Sequence, residues 1–189
     1  MPFFIIAYVL RIRKGFVRAP QNVAITKSAG TAARRRDGMR VLIRKKRRKL
    51  YLLDGDAVLL CAPVGLGPHP TGAKARKGDG KTPEGVYSIC LVKPDGKYGR
   101  SLGLNYPNLA DAAAALREQA IDPETFHAFV RAAETNGRPP WGTALGGEIY
   151  IHEGGAQADW TQGCVALETR DMDALYSHYP EITQVEIRP

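Results

Sequence analysis

Short apolar runs separated by turn-forming residues set the rhythm of this chain. Residues 40–44 and 49–53 read as strands, with the basic residues 45–48 between or along them. Asp54-Gly55-Asp56 interrupts, and residues 57–64 are apolar again. An Asp-Gly step between two such runs predicts a hairpin, because the tight two-residue turn needs a positive φ that Gly adopts without strain. Residues 65–80 are rich in Gly and Pro and predict a loop, which continues through Lys81-Thr82-Pro83-Glu84-Gly85. Residues 86–92 predict one further strand, closed by the turn Pro94-Asp95-Gly96.

The pattern then turns helical. Residues 105–141 predict an insertion of two helices. Asp111 is placed to cap an Ala-rich helix over 112–120. Asp122-Pro123-Glu124 opens the second helix with a capping acid, Pro at the first helical position and an acid in the first turn. That helix runs to about Thr135, where Asn136-Gly137 supplies a stop, and Phe126, Phe129 and Val130 form its apolar stripe. Residues 148–152, 164–167 and 184–188 predict short strands, with a short helix over 169–176. The sum is a mainly β chain with frequent turns. It predicts a β-sandwich or partly open barrel rather than βαβ units, with a helical hairpin insertion and a short helix after Cys164.

Composition adds that a packed core is affordable: 44% of residues are hydrophobic and 24% charged. Charge is uneven. Residues 1–50 hold 15 of the 27 Lys and Arg against one acid, Asp37, and the rest of the chain is mildly acidic. A basic arm invites an anionic partner, although a solvated leader is the plainer reading. Neither an RNP-type nor a helix-turn-helix signature accompanies it, so nucleic acid is not expected as a partner. The apolar run at residues 3–10 is far short of the ~20 residues that span a bilayer. Its basic residues follow it, the reverse of a secretory signal. Residues 1–38 are therefore expected to be an unstructured basic leader, with Met39 the expected start of translation and 39–189 a single domain.

Three cysteines are too few for a disulfide scaffold. Cys61 and Cys90 lie in apolar, strand-like runs and are expected to pack in the core. Cys164 differs. Residues 146–167 place His152 at the end of one strand and Cys164 at the start of another, with Gly154-Gly155 after the His and Gly163 before the Cys. A free thiol is only a few per cent ionised at neutral pH, and a neighbouring imidazole can take its proton to form a thiolate–imidazolium pair. A Gly beside the nucleophile lets backbone N–H groups approach a developing oxyanion. The residues alone leave a structural Cys and His and a catalytic dyad both open. A zinc site built from His69, His127, His152, His178 and the cysteines lacks any CxxC or HxxxH spacing.

The order His152, Gly154, Gly155, then Thr161-Gln162-Gly163-Cys164 resembles the L,D-transpeptidase (YkuD-like) catalytic domain. So do Val64–Gly67 and the stretch Gly78-Asp79-Gly80-Lys81-Thr82-Pro83-Glu84-Gly85. The resemblance covers residues 40–188. It implies that Cys164 attacks a stem-peptide carbonyl at an L-centre, releases D-Ala and leaves a thioester. An amine of a second stem then resolves the thioester into a cross-link, or water hydrolyses it. His152 is implied as general base, oriented by a backbone carbonyl near Glu153, and the amides of Gly163 and Cys164 as the oxyanion hole. Thr161, Gln162, Trp160 and Tyr150 are implied substrate-side residues, with Tyr150 on the same strand face as His152. Lys74, Arg76, Lys77 and Lys81 are placed to meet stem carboxylates, or simply to be solvated.

The partners implied are peptidoglycan stem peptides, with no metal or organic cofactor, and the cell envelope is the implied location. Two departures stand out: Gln162 where many relatives carry His, and Ala166 where many carry an Arg that clamps carboxylate. A cysteine peptidase or amidase on another substrate, and a non-enzymatic anionic-polymer-binding module, are the alternatives.

Overall fold

Residues 38–135 and 137–189 are described by the computed structural model. The leader expected at 1–38 lies, but for Gly38, outside them. Strand β1 (Met39–Arg44) buries Val41 and Ile43, and β2 (Lys49–Asp54) buries Leu50 and Leu52, as their alternation requires. Between them Lys45–Arg47 makes one tight helical turn, closed by Arg48 at φ 49°. The Asp-Gly hairpin forms as expected: Asp54 faces Ala57 across a turn in which Gly55 has φ 57°, leading into β3 (Ala57–Pro63).

The basic run is not a free arm where it is described. Lys45 is buried, and its Nζ donates to Gly72 O at 2.7 Å, Thr82 O at 2.8 Å and Glu84 Oε1 at 2.9 Å. Burial lowers its pKa, and Glu84 works against that. Arg48 grips Asp159, with Nε at 3.0 Å from both carboxylate oxygens and Nη2 at 2.6 Å from Oδ2. Asp159 Oδ1 also accepts the Leu66 N–H at 2.9 Å. Two cations of the run therefore tie the β1–β2 turn to the loops that flank Cys164.

The stretch expected as one strand over 86–92 is two. Strand β4 (Gly85–Tyr87) pairs with the C-terminal strand, β9 (Ile182–Arg188), while β5 (Ile89–Lys93) joins another sheet. The break is Ser88, whose N–H is taken by Asn105 Oδ1 at 2.9 Å. Residues 101–104 were not expected as a strand, yet β6 (Ser101–Leu104) is wholly buried. Its Gly103 weakens the sequence signal and is needed in place: a Cβ there would lie 2.9 Å from Tyr150 Cε1.

The two sheets run β3-β2-β1-β9-β4 and β5-β6-β7-β8, where β7 is Tyr150–Glu153 and β8 is Val165–Leu167. Their inner faces share one core of Val41, Ile43, Leu50, Leu52, Leu102, Leu104, Ile151, Val165 and Leu167. Among the described residues the architecture is thus mainly β with two separate sheets, and no barrel closes.

Helices α1 (Leu109–Arg117) and α2 (Pro123–Glu134) form the expected insertion, and α3 (Thr169–Tyr176) follows β8 as expected. Asp122 caps α2 through the Thr125 N–H at 2.7 Å. The cap of α1, however, is Asn108, not Asp111. Asn108 Oδ1 accepts from Ala110 and Asp111 N–H, and the Asp111 carboxylate returns to the Asn108 N–H at 2.9 Å, a reciprocal capping box that starts the helix three residues early. Cys61 is exposed rather than in the core, because edge strand β3 turns only Ala62 fully inward, and Cys90 is half-buried. Among the described residues no helix is long and apolar enough to cross a membrane.

Candidate active site

Strand pairing assembles the site. Ser101 of β6 lies opposite His152 of β7, and His152 lies opposite Ala166 of β8, so Cys164 sits just ahead of β8 beside Tyr150. The Tyr150 N–H donates to Cys164 Sγ at 3.4 Å, and the thiol donates to Glu148 O at 3.4 Å. His152, Cys164, Tyr150 and Glu148 line one cavity of about 310 Å³, walled on its other side by Lys93, Lys97 and Tyr98. Tyr150 and His152 do share a face, as two-residue periodicity dictates.

His152 is buried, and its Nδ1 lies against the carbonyl oxygen of Glu153. With Nδ1–H donating there, Nε2 carries the lone pair. The Tyr98 ring stacks on the imidazole, centroids 4.9 Å apart, and Trp160 meets it edge-on at 5.6 Å. Trp160 Nε1–H donates to Gly155 O at 3.1 Å. The Glu153 side chain is pinned by Arg100, from Nε at 2.8 Å and from the main-chain N–H at 3.2 Å, and Arg100 also reaches Asp173.

Burial pushes the His152 pKa down, against the hydrogen bond to Glu153. Burial pushes the Cys164 thiol up; the Tyr150 N–H and the field of Lys74 pull the other way. Burial thus works against charge on both groups.

The Thr161–Cys164 segment is a closed knot. The buried Thr161 hydroxyl donates to Cys164 O at 2.7 Å and accepts the Gly163 N–H at 3.2 Å. The Gly163 amide expected in an oxyanion hole is thus turned onto Thr161. Gly163 has φ +123°, and a Cβ there would lie 2.6 Å from Lys81 O, so only Gly fits. Thr161 accordingly braces the loop from within. Gln162 is exposed and borders a separate cavity of about 370 Å³ with His69, so the structure does not bring it into the cavity of Cys164.

The stretch Gly78-Asp79-Gly80-Lys81-Thr82 is a second knot. Asp79 accepts from Lys74 Nζ at 2.7 Å and from the N–H groups of Ala75, Arg76 and Lys81. These bonds outweigh burial and hold its pKa down at about 2. Lys74 is buried in that pair, which removes it as a ligand for a substrate carboxylate. Trp141 donates to Tyr106 O at 3.0 Å and stands edge-on to Tyr150 at 5.8 Å.

Sequence reasoning missed Tyr98, Glu148, Lys93 and Lys97. Glu148 stands just ahead of β7, while the pairing of the unpredicted β6 with β7 brings the end of β5 and the following loop, with Lys93, Lys97 and Tyr98, to His152. In the structure Glu148 has φ 56°, rare for a non-Gly residue and commonest at functional sites; nothing in the sequence signals it. Among the described residues no group of three His, Cys, Asp or Glu is placed to hold a metal.

The L,D-transpeptidase catalytic domain (YkuD) matches residues 38–187. The chain belongs to this family. Among solved structures, the helical cell shape determining protein Pgp2 from Campylobacter jejuni is 20% identical with a TM-score of 0.54, over 80% of this chain and 47% of that one. A protein of Bdellovibrio bacteriovorus is 20% identical with a TM-score of 0.50, over 81% and 48%. These likenesses show the fold. The chain spans about half the length of either. No curated protein sequence matches it.

Within this YkuD domain Ala166 is fully buried, and its N–H and C=O both bond to Gly65, at 2.8 and 2.9 Å. The position two residues after Cys164 thus has no space for a cationic clamp.

Proposed function

We propose that the chain is a cysteine-dependent L,D-transpeptidase acting on peptidoglycan stem peptides through a thioester. Cys164 Sγ attacks the carbonyl of the donor's L-centre as His152 Nε2 takes the thiol proton. The developing oxyanion is held by the Cys164 N–H, with Gly163 recruited if Thr161 releases its amide. As the C–N bond breaks, His152 returns the proton to the departing amine. An acceptor amine then gives a proton to His152 and attacks the thioester. The C–S bond breaks and the thiolate recovers its proton, leaving a new amide; water in place of the amine gives hydrolysis.

The observation that carries this reading is the shared cavity of Cys164 and His152, with the imidazole locked on Glu153 O. Incubation with a tetrapeptide stem or a carbapenem, followed by intact-mass and peptide mapping, tests it. The expected result is one adduct on Cys164, absent in Cys164→Ala, while Cys61→Ala and Cys90→Ala react normally. An adduct on Cys61, or none at all, would overturn the reading.

A further inference from the structure

We infer that Lys93 and Lys97 form the carboxylate-binding edge of the donor subsite, so that the enzyme selects acyl donors with a free carboxylate near the attacked carbonyl. The inference rests on the acyl-transfer reading above and adds the donor's charge.

Both lysines line the cavity that holds Cys164 and His152. Lys93 Nζ lies 4.8 Å from the centroid of the Tyr150 ring, and Lys97 Nζ lies 5.1 Å from that of Tyr98. Both rings belong to the cavity wall, so the ammonium groups of these two exposed lysines stay near its rim. Among the described residues neither lysine has a carboxylate partner, unlike Lys45, Lys74 and Arg100. The loop that carries them is built, not slack: Gly96 and Gly99 exchange N–H···O bonds at 3.1 and 2.9 Å, and the next residue, Arg100, is fixed on Glu153.

Two cations thus face a single acid, Glu148, across a cavity whose nucleophile and base are both driven toward their neutral forms. An incoming carboxylate meets a net positive rim and gains charge-assisted hydrogen bonds there. Burial of Ala166 and the pairing of Lys74 with Asp79 leave the cavity without another such clamp from those positions.

A stem donor carries two carboxylates near the scissile bond, one on the diamino-acid side chain and one at the leaving C-terminus. The test uses the full chain with three synthetic donors: both carboxylates free, side chain amidated, and C-terminus amidated. The rate of Cys164 thioester formation is followed by intact mass. Wild type is expected to acylate the free donor at least about tenfold faster than one of the amides, which identifies the carboxylate bound. In the Lys93→Gln/Lys97→Gln double variant that ratio falls to near one, and the double Arg variant restores it. Equal rates on all three donors, or a ratio unchanged in the Gln variant, would overturn the subsite alone. No thioester with any donor would overturn the acyl-transfer reading, and the subsite with it.

Discussion

The ring of Tyr98 lies on the imidazole of His152, centroids 4.9 Å apart and planes 23° from parallel. The ring that covers this imidazole comes from a surface loop 54 positions away in sequence and is itself in edge contact with Trp160 at 5.4 Å. This stack keeps water from the base and contributes to the burial that depresses its pKa.

The pH profile follows from that burial. The proposed mechanism needs neutral His152, so the acid limb of kcat/KM should have its midpoint below the ordinary histidine value of about 6.5. Tyr98→Ala hydrates the imidazole and should move the limb upward, toward that value. A rate profile of wild type and variant from pH 4 to 8 checks it; an unmoved limb would show that Tyr98 shields nothing.

On the proposed mechanism Arg100 is a positioning residue that acts on His152 through Glu153. Arg100→Gln releases the Glu153 side chain, and with it the carbonyl that orients Nδ1. Since small misplacements of a catalytic group cost on the order of ten- to a hundredfold in rate, kcat should fall within that range while KM stays near wild type. Steady-state kinetics separate the two; a change in KM alone would place Arg100 at the substrate instead.

Gly163→Ala should damage both fold and chemistry. The new Cβ meets Lys81 O at 2.6 Å, at a φ of +123° that Ala resists. Strain of this kind costs about 1–3 kcal/mol, read as a lower urea midpoint, and acylation of Cys164 should be lost together with the Thr161 knot.

Lys45→Met tests the brace behind the loop. It strips the donor from Gly72 O, Thr82 O and Glu84 Oε1 at once. Leaving such groups unpaired should destabilise the domain by about 3 kcal/mol, measured by chemical denaturation. A neutral effect would mean that water replaces the ammonium freely.

Asp111 sets a pH slope in stability. Burial raises its pKa to about 6, opposed by the Asn108 N–H and Tyr87 OH. The native state thus holds that proton more tightly than the unfolded chain, whose Asp titrates near 3.9. Its contribution is full below pH 4 and is lost as pH rises through 6, about 3 kcal/mol in all. The difference in unfolding free energy between wild type and Asp111→Asn, taken at pH 4, 5, 6 and 7, should trace that loss.

The local pattern by itself determined the hairpin at Asp54-Gly55, the Asp122-Pro123 start of α2 and the helix after β8. Each is written in residues adjacent in the chain, where turn chemistry, capping and period act directly. What the tertiary structure alone decided depends on which strand lies beside which. Strand β6 has no readable period because both its faces are buried and a Gly interrupts it. The split of 86–92 follows from Asn105 capturing Ser88. Tyr98, Lys93 and Lys97 reach the cavity only because β6 pairs with β7. Whether Cys61 faces water or core was decided by β3 lying at a sheet edge, and the turning of the Gly163 amide onto Thr161 by a knot only four residues long. Contacts between distant segments carry no local periodicity, so the sequence signals the chemistry of this site more clearly than its walls.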